Sequence, residues 1–337
     1  MSIVKLKLDQ NERVPPLGKL LSEKIGEHLG LINQYGIPEK YYETKHVLAE
    51  YSGVKPDNVI LTNGSFHALE LLTHLYLDRQ NSLVTPVPTF PFYTKYENEK
   101  KIKVLKVEPD SVSINGRRII DCIDQTTKLI YLANPNNPLG YTIDQHILIS
   151  IIEECRNKDI MVVIDEAYFE YSHQTMVSYI STYKNLIILR TMSKAFGLAG
   201  IKLGYVIAET NTAKKIEQFR GPIAVLNGMA LNVVPILFQN IGYVYEYVKE
   251  INHAKEYFLG VLNQLGIEYF PTEANFVTVK VANAINFCDH LQQQGILTRS
   301  LANHPDGSPF TDNCIRITLA PKSSMEHVSQ VMHDYLK

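Results

Sequence analysis

Neither sign of charge dominates this chain. Lysine and arginine number 33 and aspartate and glutamate 35, for a formal net charge of -2. No overall field therefore draws nucleic acid or an anionic membrane, and any anion site has to be built locally. Long hydrophobic runs are lacking too. Lys5, Lys7 and Asp9 break up the N-terminal segment, and no later stretch approaches the roughly 18 apolar residues of a membrane span. Cysteine is scarce: Cys122, Cys155, Cys288 and Cys314 lie far apart, none in a C-x-x-C pair or at metal-ligand spacing to a histidine. They read as buried thiols in a reducing compartment, so a cytoplasmic protein without a metal site is expected. There is no internal repeat, low-complexity stretch or long charge run.

What is present suits a globular fold. With 337 residues, 45% hydrophobic and 20% charged, the chain can bury a large core. At this length one core usually stops growing, so a large domain with a smaller partner, and a cleft between them, is expected.

From about Asn58 to Ala208 short apolar runs alternate with amphipathic stretches, the rhythm of an open, mostly parallel sheet. Seven runs qualify: Val59 to Thr62, Leu83 to Thr85, Val104 to Val107, Leu129 to Leu132, Met161 to Ile164, Leu186 to Leu189 and Gly204 to Ile207. Being apolar almost throughout, without alternation, they suit strands covered on both faces. After the first, Ala68, Leu69, Leu72, Leu75 and Tyr76 share a helical face, which makes Asn63-Gly64-Ser65 the turn from strand into helix. A long helix is marked by Tyr247, Ile251, Ala254, Phe258, Val261 and Leu265.

The C-terminal part reads as a separate α+β unit. A strand covers Asn275 to Lys280, a helix is faced by Ala284, Phe287, Cys288 and Leu291, and another strand follows Gly295 through Arg299. In the run from Cys314 to Leu319, alternation sends Ile315, Ile317 and Leu319 to one face and Arg316 with Thr318 to the other. A last helix is expected to start with Ser323 and Glu326 in capping-box spacing and to bury Met325, Val328, Met332 and Tyr335.

Four strand ends carry candidate chemistry. Asp165 follows the run Met161 to Ile164, at the carboxyl end where open α/β sheets bind ligands, although an aspartate there also serves as a plain cap. Lys194 follows another strand among hydroxyls and glycines, whereas a lone lysine is usually a solvated surface residue. Asn134-Pro135-Asn136-Asn137-Pro138-Leu139-Gly140 reads equally as a turn. Gly64-Ser65 at a helix start offers backbone N–H groups and the helix dipole to a phosphate. Together they bring a carboxylate, a lysine, an asparagine and an anion-binding helix start to one edge of one sheet.

At this point the sequence resembles the fold-type I pyridoxal-phosphate enzymes, and within them the histidinol-phosphate aminotransferase family. The resemblance runs from about Leu8-Asp9-Gln10-Asn11-Glu12 to Arg316. It is carried most strongly by Ser193-Lys194-Ala195-Phe196-Gly197-Leu198-Ala199-Gly200, joined by Val163-Ile164-Asp165-Glu166-Ala167-Tyr168 and the Asn134 to Pro138 motif. It implies a large domain over residues 32–232 with a seven-stranded, mostly parallel sheet, and a smaller α+β domain from residues 1–31 and 233–337. Pyridoxal 5'-phosphate is the implied cofactor, held by Lys194 as a Schiff base, with Asp165 paired to its pyridine nitrogen. Asn137 and Tyr168 would bond the ring's phenolate oxygen, and Phe90 would stack on the ring, though a phenylalanine is more often plain core. Gly64, Ser65, Thr191, Ser193 and Lys202 resemble the phosphate cup.

The resemblance also implies that Tyr35 reaches the phosphate of a neighbouring subunit, hence a homodimer with shared active sites. Asn11, Arg299 and Arg316 match substrate-binding positions, the two arginines at the substrate's acidic end. The implied reaction is amino transfer between histidinol phosphate, or an aromatic or related amino acid, and 2-oxoglutarate. The alternative is a lyase of the same fold, decarboxylating a phosphorylated amino acid.

Some positions depart from the family pattern. Lys202 stands where arginine is common, a point charge in place of a bidentate fork. Phe66 replaces an acidic residue of the phosphate turn, and Leu139 a threonine. The chain starts at about the family's Asn-Glu motif, so an N-terminal arm that commonly supplies a substrate-phosphate tyrosine is expected to be missing. Arg13, beside Asn11 and Glu12, is an extra cation expected near the cleft, where it would select a different acid.

Overall fold

The computed structural model describes residues 5–99, 103–107 and 114–336. Among them, twelve strands form three sheets. In chain order the strands are β1 (Leu6–Lys7), β2 (Val59–Thr62), β3 (Ser82–Pro86), β4 (Lys103–Val107), β5 (Thr127–Ala133), β6 (Met161–Asp165), β7 (Leu186–Thr191), β8 (Gly204–Ala208), β9 (Phe276–Lys280), β10 (Ile296–Leu297), β11 (Arg299–Ser300) and β12 (Cys314–Thr318).

The seven apolar runs read from the sequence make one sheet in the order β2-β8-β7-β6-β5-β3-β4. All pairings are parallel except those of β8 with β2 and β7. Side-chain alternation explains the uniform apolarity. Ile130, Leu132, Val162, Ile164 and Ile188 feed one buried cluster, while Leu129, Tyr131, Val163, Ile187 and Leu189 feed another on the opposite face. The helix Gly64–Tyr76 covers that second face with Ala68, Leu69 and Leu72, beside Ala213 and Ile216 of the helix Thr210–Arg220. The exception is β4. At the sheet edge it buries only Val107 fully and exposes Lys103 and Lys106, whereas the other edge strand, β2, is buried at all four positions.

The long helix spans Gly242–Gln264 and buries Tyr247, Ile251, Ala254, Phe258 and Leu262; the expected Val261 and Leu265 are only partly covered. The strand expected through Arg299 is two short ones in different sheets. β10 pairs in parallel with β1, and β11 joins the antiparallel sheet β11-β12-β9. Ile315, Ile317 and Leu319 are fully buried, as alternation requires.

The last helix begins at Lys322, so Ser323 sits inside its first turn and not at the cap; the Pro321 carbonyl accepts from Ser324 and Met325 instead. Met325, Val328 and Met332 are buried, but Tyr335 is 39% exposed, its ring edge resting on Phe287. All four cysteines are free. Cys155 and Cys314 are buried as expected, whereas Cys122 and Cys288 are only partly so.

Candidate active site

β2, β5, β6 and β7 end on the same edge of the large sheet, at Thr62, Ala133, Asp165 and Thr191. The loops leaving these ends line a half-open cavity of about 210 Å³. It lies at the carboxyl ends of the strands, where open α/β sheets take their ligands.

Asp165 lines the cavity and is 6% exposed. The Tyr131 hydroxyl donates to its Oδ2 at 3.0 Å and the Ala167 N–H to its Oδ1 at 3.1 Å. Burial pushes the carboxyl up to about 6, against the pull of those two bonds and of the nearby Lys194 charge. Both donors are neutral, so the buried carboxylate can still take a cation.

Lys194 is half-buried and lines the same cavity. Its Nζ donates to the Gln10 carbonyl at 2.9 Å and lies 5.8 Å from the centre of the Tyr168 ring. Burial, and next the positive charge of Arg316, bring its ammonium down to about 8. A sizeable neutral fraction near neutral pH is what a lysine nucleophile or base requires.

One side of the cavity is built for an anion. Gly64, with φ of 81°, opens the helix Gly64–Tyr76. The side chain of Asn63 does not cap that helix, because it is engaged with the Val225 carbonyl and the Asn227 N–H. The first-turn N–H groups are thus left for a ligand. Thr191 Oγ1 donates to Ser193 Oγ at 3.1 Å, and Lys202 adds a cation to the same wall. A Cβ on Gly204 would fall 2.6 Å from the Gly64 carbonyl carbon and the Ser65 nitrogen, so β8 backs directly onto the turn.

Asn137 and Tyr168 complete the wall, and each is held from behind. Arg316 Nη1 donates to Asn137 Oδ1 while its Nη2 donates to the Asp9 carbonyl at 2.7 Å. Asn11, in the left-handed region with φ of 56°, donates from Nδ2 to the Tyr168 hydroxyl at 3.0 Å. Burial pushes the Tyr168 phenol up. Phe90 lines the cavity, edge-on to Phe66.

The cavity therefore gathers Gly64, Ser65, Phe90, Asn137, Asp165, Tyr168, Thr191, Ser193, Lys194 and Lys202. Asn11 and Arg316 stand behind it. Arg299 does not join: it is exposed on β11, in register with Arg316. Tyr35 is 81% exposed and outside the cavity of its own chain. Arg13 departs from expectation, since its guanidinium is stacked between the rings of Tyr243 and Tyr247 and does not face the cavity.

Three participants escaped the sequence reading: Tyr131, Glu12 and the Gln10 carbonyl. Tyr131 had a signal, a hydroxyl inside an otherwise aliphatic run. Its meaning needs the register that sets Ala133 opposite Asp165, which places Tyr131 on the carboxylate's face.

A buried acceptor for a ring cation, a lysine with a depressed pKa and a phosphate-ready helix start in one cavity fit a phosphorylated pyridine aldehyde. The comparisons agree. Residues 6–333 match the family model of aminotransferase class I and II. The chain is 31% identical over 336 residues to histidinol-phosphate aminotransferase of Caldanaerobacter subterraneus subsp. tengcongensis, covering 98% of this chain and 93% of that one.

Among solved structures, histidinol-phosphate aminotransferase from Sinorhizobium meliloti in complex with pyridoxal-5'-phosphate matches with a TM-score of 0.89 at 20% identity, over 99% of this chain and 91% of that one. L-threonine-O-3-phosphate decarboxylase from Porphyromonas gingivalis matches with 0.83 at 19% identity, over 98% and 99%. Likeness at such low identity establishes the fold, that of fold-type I.

Fold and family together define a pyridoxal-phosphate-dependent aminotransferase. Within that class, the chain belongs to the histidinol-phosphate aminotransferase family.

Proposed function

We propose that this enzyme transfers the amino group of histidinol phosphate, or of an aromatic or related amino acid, to 2-oxoglutarate, with Lys194 as its catalytic lysine. The observation that carries this reading is the meeting of Asp165, Lys194 and the Gly64 helix start on one cavity. When bound, pyridoxal phosphate supplies an aldehyde that takes up the donor's amino group and a ring that draws electrons from the donor's Cα.

The placement of the chain's own residues supports a role for each. Asp165, as a buried carboxylate, holds a protonated ring nitrogen by charge and hydrogen bond. Gly64, Ser65, Thr191, Ser193 and Lys202 bind the phosphate. Asn137 and Tyr168 orient the ring's hydroxyl side, and Phe90 covers a ring face. Lys194 Nζ, neutral in part near pH 8, removes the proton from the donor's Cα. Arg316, already turned toward Asn137, meets the substrate's acidic group; Arg299 on the adjacent strand adds positive charge, and Asn11 steadies Tyr168.

A homodimer belongs to the same reading. Leu20, Leu29, Leu31, Ile32, Tyr35, Ile37 and Tyr42 are all exposed, between 41% and 81%, within one short stretch of chain. A second copy would cover them and place Tyr35 at its partner's site. Residues 32–232 then form the cofactor domain and residues 1–31 with 233–337 the smaller one, in a cytoplasmic enzyme.

The test is product analysis with and without a keto acid. Histidinol phosphate has no α-carboxylate to lose, so its conversion to the ketone only when 2-oxoglutarate is present, with glutamate formed in equal amount, supports the reading. Carbon dioxide released from a phosphorylated amino acid without any keto acid would replace it with decarboxylation.

A further inference from the structure

Arg13 turns its back on the cavity. Its guanidinium carbon lies 3.9 Å from the centre of the Tyr243 ring and 4.0 Å from that of Tyr247, both on the helix Gly242–Gln264. Two aromatic faces at i and i+4 make a slot that a planar guanidinium fills and a compact ammonium does not. The same tyrosines grip the backbone beyond. Val14 N–H donates to the Tyr247 hydroxyl at 3.4 Å, Gly18 N–H to the Tyr243 hydroxyl at 2.9 Å, and the Tyr243 hydroxyl to the Pro16 carbonyl at 3.2 Å. Arg13 Nε is buried without a hydrogen-bond partner, so the ring faces govern how the group is seated.

The other edge of Arg13 meets the loop that follows Lys194. Nη1 donates to the Ala195 carbonyl at 3.4 Å. Gly197, with φ of 74°, lies so close that a Cβ there would fall 2.7 Å from Arg13 Cδ. The segment that carries Arg13 touches Lys194 itself as well. The Gln10 carbonyl accepts from Lys194 Nζ, Asn11 holds Tyr168, and Glu12 lines the cavity.

We infer that Arg13 is a positioning residue. Seated between Tyr243 and Tyr247, it locks the 10–12 segment against the 195–197 loop and so fixes where Lys194 Nζ stands, without meeting substrate. This rests on the reading of Lys194 as the catalytic lysine. A cation that selected a substrate acid would need its N–H groups in the cavity, whereas Arg13 is not among the residues that line it, its guanidinium lies between two rings and its Nη1 donates to the Ala195 carbonyl.

The experiment compares Arg13→Met, Arg13→Lys and Tyr243→Leu with wild type, in steady-state assays with histidinol phosphate and 2-oxoglutarate and by hydrogen exchange on the cofactor-free protein. Misplacement of Lys194 by a fraction of an ångström should lower kcat by about 10- to 100-fold while the donor KM moves less than about threefold. Arg13→Lys should do no better than Arg13→Met. Exchange of the amides at 195–198 should accelerate in all three variants, and the loss in the Arg13→Met, Tyr243→Leu double variant should be less than additive.

Wild-type kcat in Arg13→Lys, a raised donor KM at unchanged kcat in Arg13→Met, or unaltered exchange at 195–198 would each overturn the inference. Failure of the underlying reading shows separately, as a visible cofactor band that survives Lys194→Ala.

Discussion

Tyr131, from inside strand β5, donates its hydroxyl to Asp165 Oδ2 at 3.0 Å. The bond favours the ionised carboxylate, whose pKa burial has already pushed up to about 6. Tyr131→Phe should therefore raise that pKa further in the cofactor-free protein, by about one unit, which the pH dependence of its unfolding free energy reads. An unmoved pH dependence would mean that the tyrosine only fills space.

Asp165 also ties stability to pH. Its folded pKa lies above the ordinary value near 3.8, so its contribution to stability is fully present below that value and is lost as pH rises through about 6. In the cofactor-free protein, melting temperature should fall across this window, by an amount on the order of 3 kcal/mol at most in free energy. Asp165→Asn should remove this component, and pyridoxal phosphate should offset it by supplying a positive partner.

Lys194 should be the most reactive lysine near neutral pH. Its pKa of about 8 is set by burial first and the Arg316 charge second. Competitive amine labelling of the cofactor-free protein, read by mass spectrometry, should show a midpoint near 8 at this residue. Arg316→Gln should move the midpoint up, toward an ordinary lysine.

Gly204 tests the phosphate turn from behind. In Gly204→Ala the new methyl would press on backbone atoms of Gly64 and Ser65, which cannot yield as a flexible side chain can. Cofactor affinity should drop by about tenfold or more, as expected when N–H groups are moved off a phosphate. Lys202→Arg should act in the opposite direction by offering a fork to the same group. Equilibrium titration with pyridoxal phosphate reads both.

Arg190 and Glu166 form a pair buried beneath the site, 2% and 1% exposed. Arg190 Nε and Nη2 both donate to Glu166 Oε2, at 3.1 and 2.9 Å, and Glu166 Oε1 accepts from the Met176 N–H. Arg190→Ala strands a buried carboxylate and should cost about 3–5 kcal/mol in denaturant unfolding, whereas Arg190→Met with Glu166→Leu should cost much less.

Much of this was legible in the linear chain for a physical reason. A strand covered on both faces has to be apolar at every position, so the runs of β5, β6 and β7 stood out, and the polar residues at their ends marked the sheet edge. β4, exposed at the border, carries Lys103 and Lys106, which set it apart from the aliphatic runs of β6 and β7. Asp165, Lys194 and the Gly64 turn were visible because each lies at or just past the end of a strand. Tyr131 was not, since only the pairing of β5 with β6 aligns it with Asp165. Arg13 was misjudged because the residues that claim it, Tyr243 and Tyr247, are more than two hundred positions away.

The account stands or falls on Lys194. The visible spectrum of the purified protein with pyridoxal phosphate, taken beside that of Lys194→Ala and then with histidinol phosphate, glutamate and aromatic amino acids added singly, tests it most directly. A wild-type band that Lys194→Ala lacks and that one amino donor bleaches is the result expected. A band that survives Lys194→Ala, or a wild type with no band at all, would contradict the assignment of this lysine as the residue that holds the cofactor.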